Sequence, residues 1–141
     1  MCEAILGNQS LYEDIDSYGV SNSYSSLYPL TDGASPDDSF SDIPYEKGYQ
    51  FLYYLTTFIG GDMMEQFIQS YILKYQEQSV NYTQLNATWV DFINENIDNE
   101  TEKNYILDTV NWTLWVREAG YPPVHFNFSN PDQQAADDLA I

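Results

Sequence analysis

The residues best placed to do chemistry lie in the hexapeptide 43–48, IPYEKG, which runs directly into an apolar segment. Pro44 suits the first turn of a helix, because its missing N–H would have no intrahelical partner there. Glu46 falls in the same turn, where a negative charge meets the positive end of the helix dipole. The pattern therefore predicts a helix start that projects Tyr45 out of the core, as a phenol that donates a hydrogen bond without carrying charge at neutral pH.

Other reactive residue types are sparse. His125 is the single histidine and has no metal-ligand spacing, so we interpret it as a surface or strand histidine. Cys2 is the single cysteine and has no nearby histidine, so thiol catalysis would lack its base. There is no glycine-rich phosphate loop, and two aspartate pairs that could catch calcium do not follow the EF-hand spacing. These pairs are Asp14 with Asp16 and Asp37 with Asp38.

Charge excludes several classes of partner. The 141 residues contain four Lys or Arg against 22 Asp or Glu, for a formal net charge of −18, and the four cations are scattered. Without a basic patch, binding to nucleic-acid phosphates or to an anionic membrane surface is not expected. An acidic surface favours solubility and cationic partners, although it also fits a solvated surface with no specific partner.

The predicted compartment is the cytoplasm, with secretion as the alternative. A single cysteine cannot form an internal disulfide, which fits a reducing compartment. The N-terminus lacks the basic and apolar regions of a signal peptide, and no stretch approaches the ~20 apolar residues of a membrane span. Secretion would make use of six Asn-x-Ser/Thr sites, although the same asparagines also suit helix caps. The sites are Asn8, Asn81, Asn86, Asn99, Asn111 and Asn127.

Apolar residues at three- and four-residue spacing predict a mainly α protein without a significant sheet. The first three predicted helices are a short one between Gly7 and Gly19 and strong ones over Tyr45–Ile59 and Asp62–Tyr75. A fourth helix is predicted to begin at Asn86 or Thr88 and to carry Trp89 to Ile97. A short helix around Tyr105–Leu107 and a last one over Trp112–Glu118 follow. Residues 20–42 are predicted to form a turn-rich acidic loop, 98–102 an acidic turn, and 124–128 a strand or extended arm before a frayed tail.

Caps and apolar stripes complete this prediction. Asp62 with Glu65 is expected to cap the second strong helix, and Asn111 the last one. Leu11, Ile15 and Tyr18 are expected to share one face of the first helix. The stripe of the 45–59 helix is predicted to be Phe51, Leu52, Leu55, Phe58 and Ile59, and that of the next helix Met64, Phe67, Ile68, Tyr71, Ile72 and Tyr75.

From the hexapeptide onward the chain resembles the zinc-dependent M1 aminopeptidases, above all their leukotriene A(4) hydrolase branch. The resemblance rests on IPYEKG at 43–48, the Gly60-Gly61 pair after an apolar helix, and Trp-x-x-Trp at 112–115 followed by Gly-x-Pro-Pro at 120–123. It extends more weakly back to about Gly7. It covers most of this chain but only a middle slice of such an enzyme. It implies the helical half of a thermolysin-like metallopeptidase catalytic domain, with an irregular N-terminal third.

The resemblance also implies a zinc site that this sequence does not contain. In that family a His-Glu-x-x-His helix and a glutamate one helix later hold the ion, and the glutamate of the motif acts as general base on the bound water. His125 alone cannot provide two imidazoles one turn apart. Zinc is therefore expected in the parent family and not in this chain alone, and the missing ligands are expected upstream of Met1.

Two residues carry roles by resemblance. Tyr45 matches the family tyrosine whose phenol hydrogen-bonds the oxyanion that forms when water attacks the peptide carbonyl. Asp37 lies eight residues earlier, at the offset of an aspartate that directs water onto an opened epoxide in the leukotriene A(4) hydrolase branch; beside Asp38 it equally suits a solvated turn. Phe40 stands where that branch often has a tyrosine, so aminopeptidase ancestry is favoured over epoxide hydrolysis.

Two hypotheses follow. In the first, the chain is a fragment of an M1-type metallo-aminopeptidase, supplies the tyrosine, lacks the zinc ligands and is inactive alone. In the second, it is a non-catalytic acidic helical module that keeps the scaffold and binds another protein. The expected partners are a peptide substrate in the parent family, and a zinc-site-bearing polypeptide or a second copy of the chain. The sequence divides into 1–42, a short helix and acidic loop; 43–123, the helical part of the catalytic domain; and 124–141, an arm and flexible tail.

A testable consequence concerns association. Apolar surface that would face the zinc-binding helices of the family is expected to be exposed or refolded, so the 141-residue chain should self-associate at tens of micromolar. Sedimentation velocity measures this directly, and a single monomeric boundary across that concentration range would contradict it.

Overall fold

The computed structural model of the protein describes residues 2–128, and every regular element in that range is helical. The helices are α1 (Cys2–Tyr18), α2 (Ile43–Ile59), α3 (Gly61–Tyr75), α4 (Tyr82–Asn96), α5 (Glu100–Thr109) and α6 (Trp112–Val116), with 3-10 turns at Ser23–Ser25 and Pro36–Ser39. The predicted mainly α class without a sheet is confirmed. The tail predicted beyond residue 128 lies outside the described residues.

The chain forms two compact units. Within the described range, one contains residues 2–51 together with 117–128, and the other contains Leu52–Val116. Helix α2 contributes its first half to the former unit and its second half to the latter. These units group residues by their proximity in space and do not test the predicted division of the sequence into 1–42, 43–123 and 124–141, which stays a prediction.

In the first unit, α1 packs its apolar face on the start of α2. Leu11, Ile15 and Ile43 are fully buried, and Tyr18 packs against them. The predicted shared face is therefore confirmed, although α1 begins earlier than the predicted Gly7. Gly19 ends the helix as predicted: its φ is +97°, and its N–H donates to the Ile15 carbonyl at 2.8 Å.

In the second unit, aromatic rings make the core. Phe67 of α3 meets Trp89 of α4 edge-on, with ring centroids 5.2 Å apart, and also contacts Phe92 at 5.6 Å. Trp115 of α6 is buried and packs against Tyr54 at 5.2 Å. Of the two tryptophans of α6, which their spacing predicts to be core residues, Trp115 is buried and Trp112 only half-buried. On α4, Trp89, Phe92 and Ile93 are buried and face the core.

The predicted apolar stripes of α2 and α3 were too wide. Phe51 and Phe67 are buried, but Leu52 is 37% exposed, Ile68 38% and Ile72 59%. The reason is angular: a residue one position along a helix lies about 100° around its axis, so Leu52 and Ile68 leave the buried line that Phe51 and Phe67 define.

The predicted start of α4 was wrong. Asn81, not Asn86 or Thr88, caps this helix: its side-chain oxygen accepts from the Thr83 N–H at 2.8 Å, and the Gln84 side chain accepts from the Asn81 N–H at 3.0 Å. This reciprocal pair is a capping box with asparagine at its head. Asn86 and Thr88 lie inside the helix.

The starts of α3 and α5 also differ from the predicted ones. Helix α3 begins after Gly60, whose φ is +77° and which makes no side-chain cap bond, so the predicted Asp62–Glu65 capping pair was wrong. The predicted acidic turn at 98–102 is partly helix, because Asn99 caps α5 through the Thr101 and Glu102 amides.

The last elements follow the prediction more closely. The Asn111 side chain accepts from the Leu114 N–H at 2.9 Å, which confirms the predicted cap, while α6 ends at Val116. Residues 125–128 form no strand, so the strand alternative for the arm was wrong. None of the helices in the described range is long and apolar enough to cross a membrane.

The two candidate caps of α4 can be told apart by substitution. Asn81→Ala should lower the free energy of unfolding by about 1 kcal/mol, because it removes the head of the capping box. Asn86→Ala, inside the same helix, should stay within about 0.5 kcal/mol of the parent chain. Urea denaturation followed by circular dichroism compares them, and an equal or reversed order would contradict the cap assignment.

Candidate functional site

The structure places Tyr45 in the first turn of α2, pointing out of the core. Its side chain is 65% exposed, whereas Ile43 and Lys47 on either side are fully buried. Its hydroxyl makes no hydrogen bond to any residue in the described range. Among the described residues, the helix start thus presents a phenol with no acceptor for its hydroxyl proton.

The entry to α2 is tied to α1 by Asp42. The Asp42 N–H donates to the Asp14 carboxylate at 2.8 Å, and the Asp42 carboxylate accepts from the Ser10 hydroxyl. The Asp42 carbonyl then accepts the Glu46 N–H at 2.9 Å, which closes the first turn. Polar contacts therefore fix where the helix begins.

Glu46 and Gln50 hold the next turns against α1. The Glu46 carboxylate lies directly over Gly7, where a Cβ atom would come within 2.0 Å of a carboxylate oxygen. One turn later the Gln50 side-chain amide donates to the Asn8 side-chain oxygen at 2.8 Å. Burial, and secondarily Asp42, raise the pKa of Glu46. A side chain at position 7 would therefore displace the Glu46 carboxylate, at the point where the sequence resemblance begins.

Lys47, the next residue of α2, ties the helix to loops of the same unit. Its ammonium is fully buried and donates to three main-chain carbonyls: Ser25 at 3.0 Å, Glu118 at 3.1 Å and Gly120 at 2.9 Å. Burial lowers the pKa of Lys47 to about 8, and the Glu118 carboxylate opposes this shift. At pH 7 the group therefore keeps its three donors, one for each carbonyl.

Gly120 shapes the carbonyl cluster that receives this ammonium. Its φ of +92° is one that residues with side chains rarely adopt, and a Cβ there would lie 2.9 Å from the Val20 carbonyl oxygen. Its N–H donates to the Ser25 hydroxyl at 2.7 Å. The glycine of the Gly-x-Pro-Pro segment is therefore needed both for its dihedral angle and for the close approach of two loops.

Asp37 lies in the 3-10 turn Pro36–Ser39 and is exposed. The Tyr18 hydroxyl steadies this turn by donating to the carbonyls of Asp38 at 3.2 Å and Phe40 at 3.3 Å. No hydrogen bond within the described residues joins Asp37 to Tyr45. Both predicted site residues thus lie on the surface, and no hydrogen bond among the described residues links them.

His125 takes part in an aromatic cluster of the same unit. Its Nδ1 shares a hydrogen bond with the Tyr12 hydroxyl, and Tyr12 stacks on Tyr121 with centroids 4.8 Å apart. The Tyr121 hydroxyl donates to Asp16. His125 is exposed, which agrees with the predicted surface histidine. Within residues 2–128 no group of three His, Cys, Asp or Glu side chains is arranged to hold a metal ion.

Comparison with known proteins adds the family. Residues 2–104 match the Peptidase family M1 domain. The chain belongs to the M1 peptidase family. Leucine aminopeptidase 2 of Aspergillus clavatus is 38% identical over 120 residues, which make up 85% of this chain and 19% of that protein. Leucine aminopeptidase 2 of Ajellomyces capsulatus is 34% identical over the same length.

Solved structures of the same family superpose well on this M1 chain. Yeast LTA4 hydrolase in complex with bestatin matches with a TM-score of 0.74 and 36% identity, covering 89% of this chain and 19% of that one. Native leukotriene A4 hydrolase from Saccharomyces cerevisiae matches with a TM-score of 0.76 and 33% identity, covering 97% and 20%. This chain spans about a fifth of the length of these relatives, and the helical part of an M1 catalytic domain is confirmed as its fold.

The residues in the described range do not fit the zinc ion of the M1 family. The sequence holds one histidine, whose Nδ1 shares a hydrogen bond with Tyr12, and the described range holds no cluster of three possible ligands. Zinc therefore enters no step derived from this M1 chain.

The Lys47 clamp is the feature that sequence reasoning missed. The signal was present, because Ile43, Lys47 and Phe51 follow one another at four-residue spacing and so share one helix face. A lysine on a buried face predicts a site rich in acceptors. The sequence does not show which carbonyls form that site, because they lie in loops 22 and 73 positions away from Lys47.

Substitution of Lys47 tests the clamp. Lys47→Met should lower the free energy of unfolding by about 2 to 3 kcal/mol, because three carbonyls lose their buried donor. Lys74→Met is the matched control: Lys74 pairs with Asp91 at 3.3 Å on the surface, and its loss should lower the free energy of unfolding far less, because water screens an exposed ion pair. Urea denaturation measures both, and a Lys47→Met chain as stable as Lys74→Met would refute the clamp.

Proposed function

We propose that this chain is a fragment of an M1-type metallo-aminopeptidase that removes N-terminal residues from peptides, and that Tyr45 stabilises the transition state. The observation that carries the proposal is the exposed Tyr45 phenol, which has no hydrogen-bond partner among the described residues and whose helix start is held by Asp42 and Lys47. The relatives support the reaction class, since two of them are named leucine aminopeptidases and one structural neighbour is an LTA4 hydrolase in complex with bestatin.

The role of Tyr45 follows from where charge develops. When water adds to a peptide carbonyl, the oxygen gains negative charge, and the Tyr45 O–H donates a hydrogen bond to it. Such a donor is most effective when it is held in place before the reaction, because nothing then has to reorganise as the charge forms. Asp42, Glu46 and Lys47 provide that rigidity through their contacts to α1 and to the loops.

The 141-residue chain alone is proposed to be inactive. The described residues form no zinc site. The metal and the base that acts on water would therefore come from a polypeptide that carries the His-Glu-x-x-His helix. Asp37 is the weaker site candidate: it lies on an exposed turn with the 76% exposed Phe40 close by in sequence. Peptide hydrolysis is therefore proposed in preference to epoxide hydrolysis. The cytoplasm is the proposed compartment, which the single cysteine supports.

The alternative is a non-catalytic acidic helical module that binds another protein or a second copy of itself. One observation favours it: α3 exposes apolar side chains, with Ile72 59% and Leu73 68% exposed. Such side chains on neighbouring positions suit a protein contact better than water.

The proposal is tested by complementation. The chain is mixed with zinc and a purified M1 polypeptide segment that carries the His-Glu-x-x-His helix, and hydrolysis of an aminoacyl chromogenic substrate is followed. Activity is expected in the mixture and in neither component alone. Tyr45→Phe should reduce kcat by a factor of about 100 to 1,000, because the oxyanion loses its donor while the ring stays.

Tyr49→Phe is the matched control, since Tyr49 lies one turn further along α2 and is 44% exposed. It should leave kcat within about twofold, as expected for a surface hydroxyl that touches no reacting atom. Activity of the chain by itself would refute the proposal that it lacks a metal site. No activity under any condition would favour the interaction module.

A further inference from the structure

A cleft in the second unit, between the second half of α2 and α5, has no role in the proposed reaction. Its cavity volume is about 410 Å³. Tyr54, Phe58 and Tyr105 form its aromatic walls, and the fully buried Ile106 lies at its base. None of these residues belongs to the Tyr45 site.

The walls are contiguous ring surfaces. Phe58 lies between the two tyrosines, 5.0 Å from Tyr54 and 6.1 Å from Tyr105 by ring centroids. Tyr105 is 62% exposed, so one ring is open to a ligand. Burial, and then the neighbouring Tyr105, raise the pKa of Tyr54, which therefore stays neutral and keeps the electron-rich face that attracts cations.

The polar groups of the cleft act as acceptors. The Thr57 and Thr109 hydroxyls already donate to main-chain carbonyls one turn back, at 2.6 Å and 2.5 Å, which leaves their lone pairs to accept. Glu102 adds a carboxylate that makes no ion pair within the described residues. The cleft is lined by no lysine or arginine. It thus combines aromatic faces, acceptors and one uncompensated negative charge.

The unit that surrounds the cleft has no basic residue left to pair with Glu102. Residues 52–116 contain two basic residues, and both are engaged: Lys74 with Asp91 at 3.3 Å, and Lys103 with Glu100 at 2.9 Å. The chain as a whole carries a net charge of −18. Charge complementarity therefore calls for a cation from another molecule.

We propose that this cleft binds the arginine side chain of a basic segment on a partner polypeptide. A guanidinium is flat enough to stack on Tyr105 while its N–H groups reach Glu102 and the threonine hydroxyls. A quaternary ammonium would meet the rings but has no donor for the carboxylate, and a lysine ammonium lacks the plane that stacks. The chain shows the same stacking contact elsewhere, where the Arg117 guanidinium lies 4.3 Å from the Tyr28 ring centroid.

The inference is tested with short peptides, independently of zinc and of Tyr45. Acetyl-Gly-Arg-Gly amide is titrated into the 15N-labelled chain, beside the same peptide with citrulline, which has the arginine shape without its charge, and with lysine. The arginine peptide should shift the amide signals of Thr57, Ile106 and Thr109. Its dissociation constant should be at least about fivefold lower than that of either control, as expected for loss of a cation–π contact or of stacking.

Substitutions locate the binding. Glu102→Gln and Tyr105→Ala should each weaken arginine-peptide binding about fivefold or more, whereas Tyr105→Phe keeps the ring and should bind within about twofold. Glu95→Gln removes an equal charge from the exposed surface of α4, outside the cleft, and should leave the dissociation constant unchanged. Circular dichroism confirms that each variant is folded.

Two outcomes would overturn the proposal. One is equal binding of the arginine and citrulline peptides. The other is a Glu102→Gln chain that binds no more weakly than Glu95→Gln. Failure of the aminopeptidase complementation would affect neither measurement, so the two proposals stand or fall separately.

Discussion

The buried ammonium of Lys47 is the interaction on which the arrangement around Tyr45 depends. A charge taken out of water is costly unless every donor finds an acceptor. Here the three donors meet the carbonyls of Ser25, Glu118 and Gly120, none of which is adjacent to Lys47 in sequence. Satisfying one charge therefore fixes the first turn of α2 against two separate loops, and the exposed Tyr45 is held by the same turn.

Basic residues are scarce in this chain, so the use of Lys47 to bind carbonyls is informative. The chain has four basic residues, and each is engaged within the described structure. Lys47 binds carbonyls, Lys74 and Lys103 pair with carboxylates, and Arg117 lies over Tyr28. In a chain with 22 acidic residues, the positive charges thus serve the fold, and the aromatic cleft beside Glu102 keeps its negative charge.

Local patterns were enough to predict the helices and much of the core. Leu11 with Ile15, and Trp89 with Ile93, are spaced so that one face must be apolar, and all four are buried. The hexapeptide signalled an outward phenol correctly, because proline and glutamate mark a first turn whatever the rest of the chain does.

The predictions that failed concerned residues with two acceptable roles, or contacts between residues far apart in sequence. Asn81 and Asn86 are both acceptable caps, and only the reciprocal bond of Gln84 decides between them. Leu52 and Ile68 have the chemistry of core residues, but their helices are covered on a narrower arc than apolar composition suggests. The carbonyls that receive Lys47, and the approach of Glu46 to Gly7, join segments far apart in sequence, and no local pattern records such meetings.

The separation between Lys47 and Gly120 has a consequence for biogenesis. During synthesis the amino-terminal helices leave the ribosome long before the Gly120 turn exists, so for that interval the lysine lacks two of its three acceptors. Contacts between distant segments form late, and chains that wait for them are exposed to misassembly. The tyrosine-bearing turn should therefore stay unlocked until residues 118–120 have been synthesised, and ribosome-bound intermediates that stop short of Gly120 would carry it in that state.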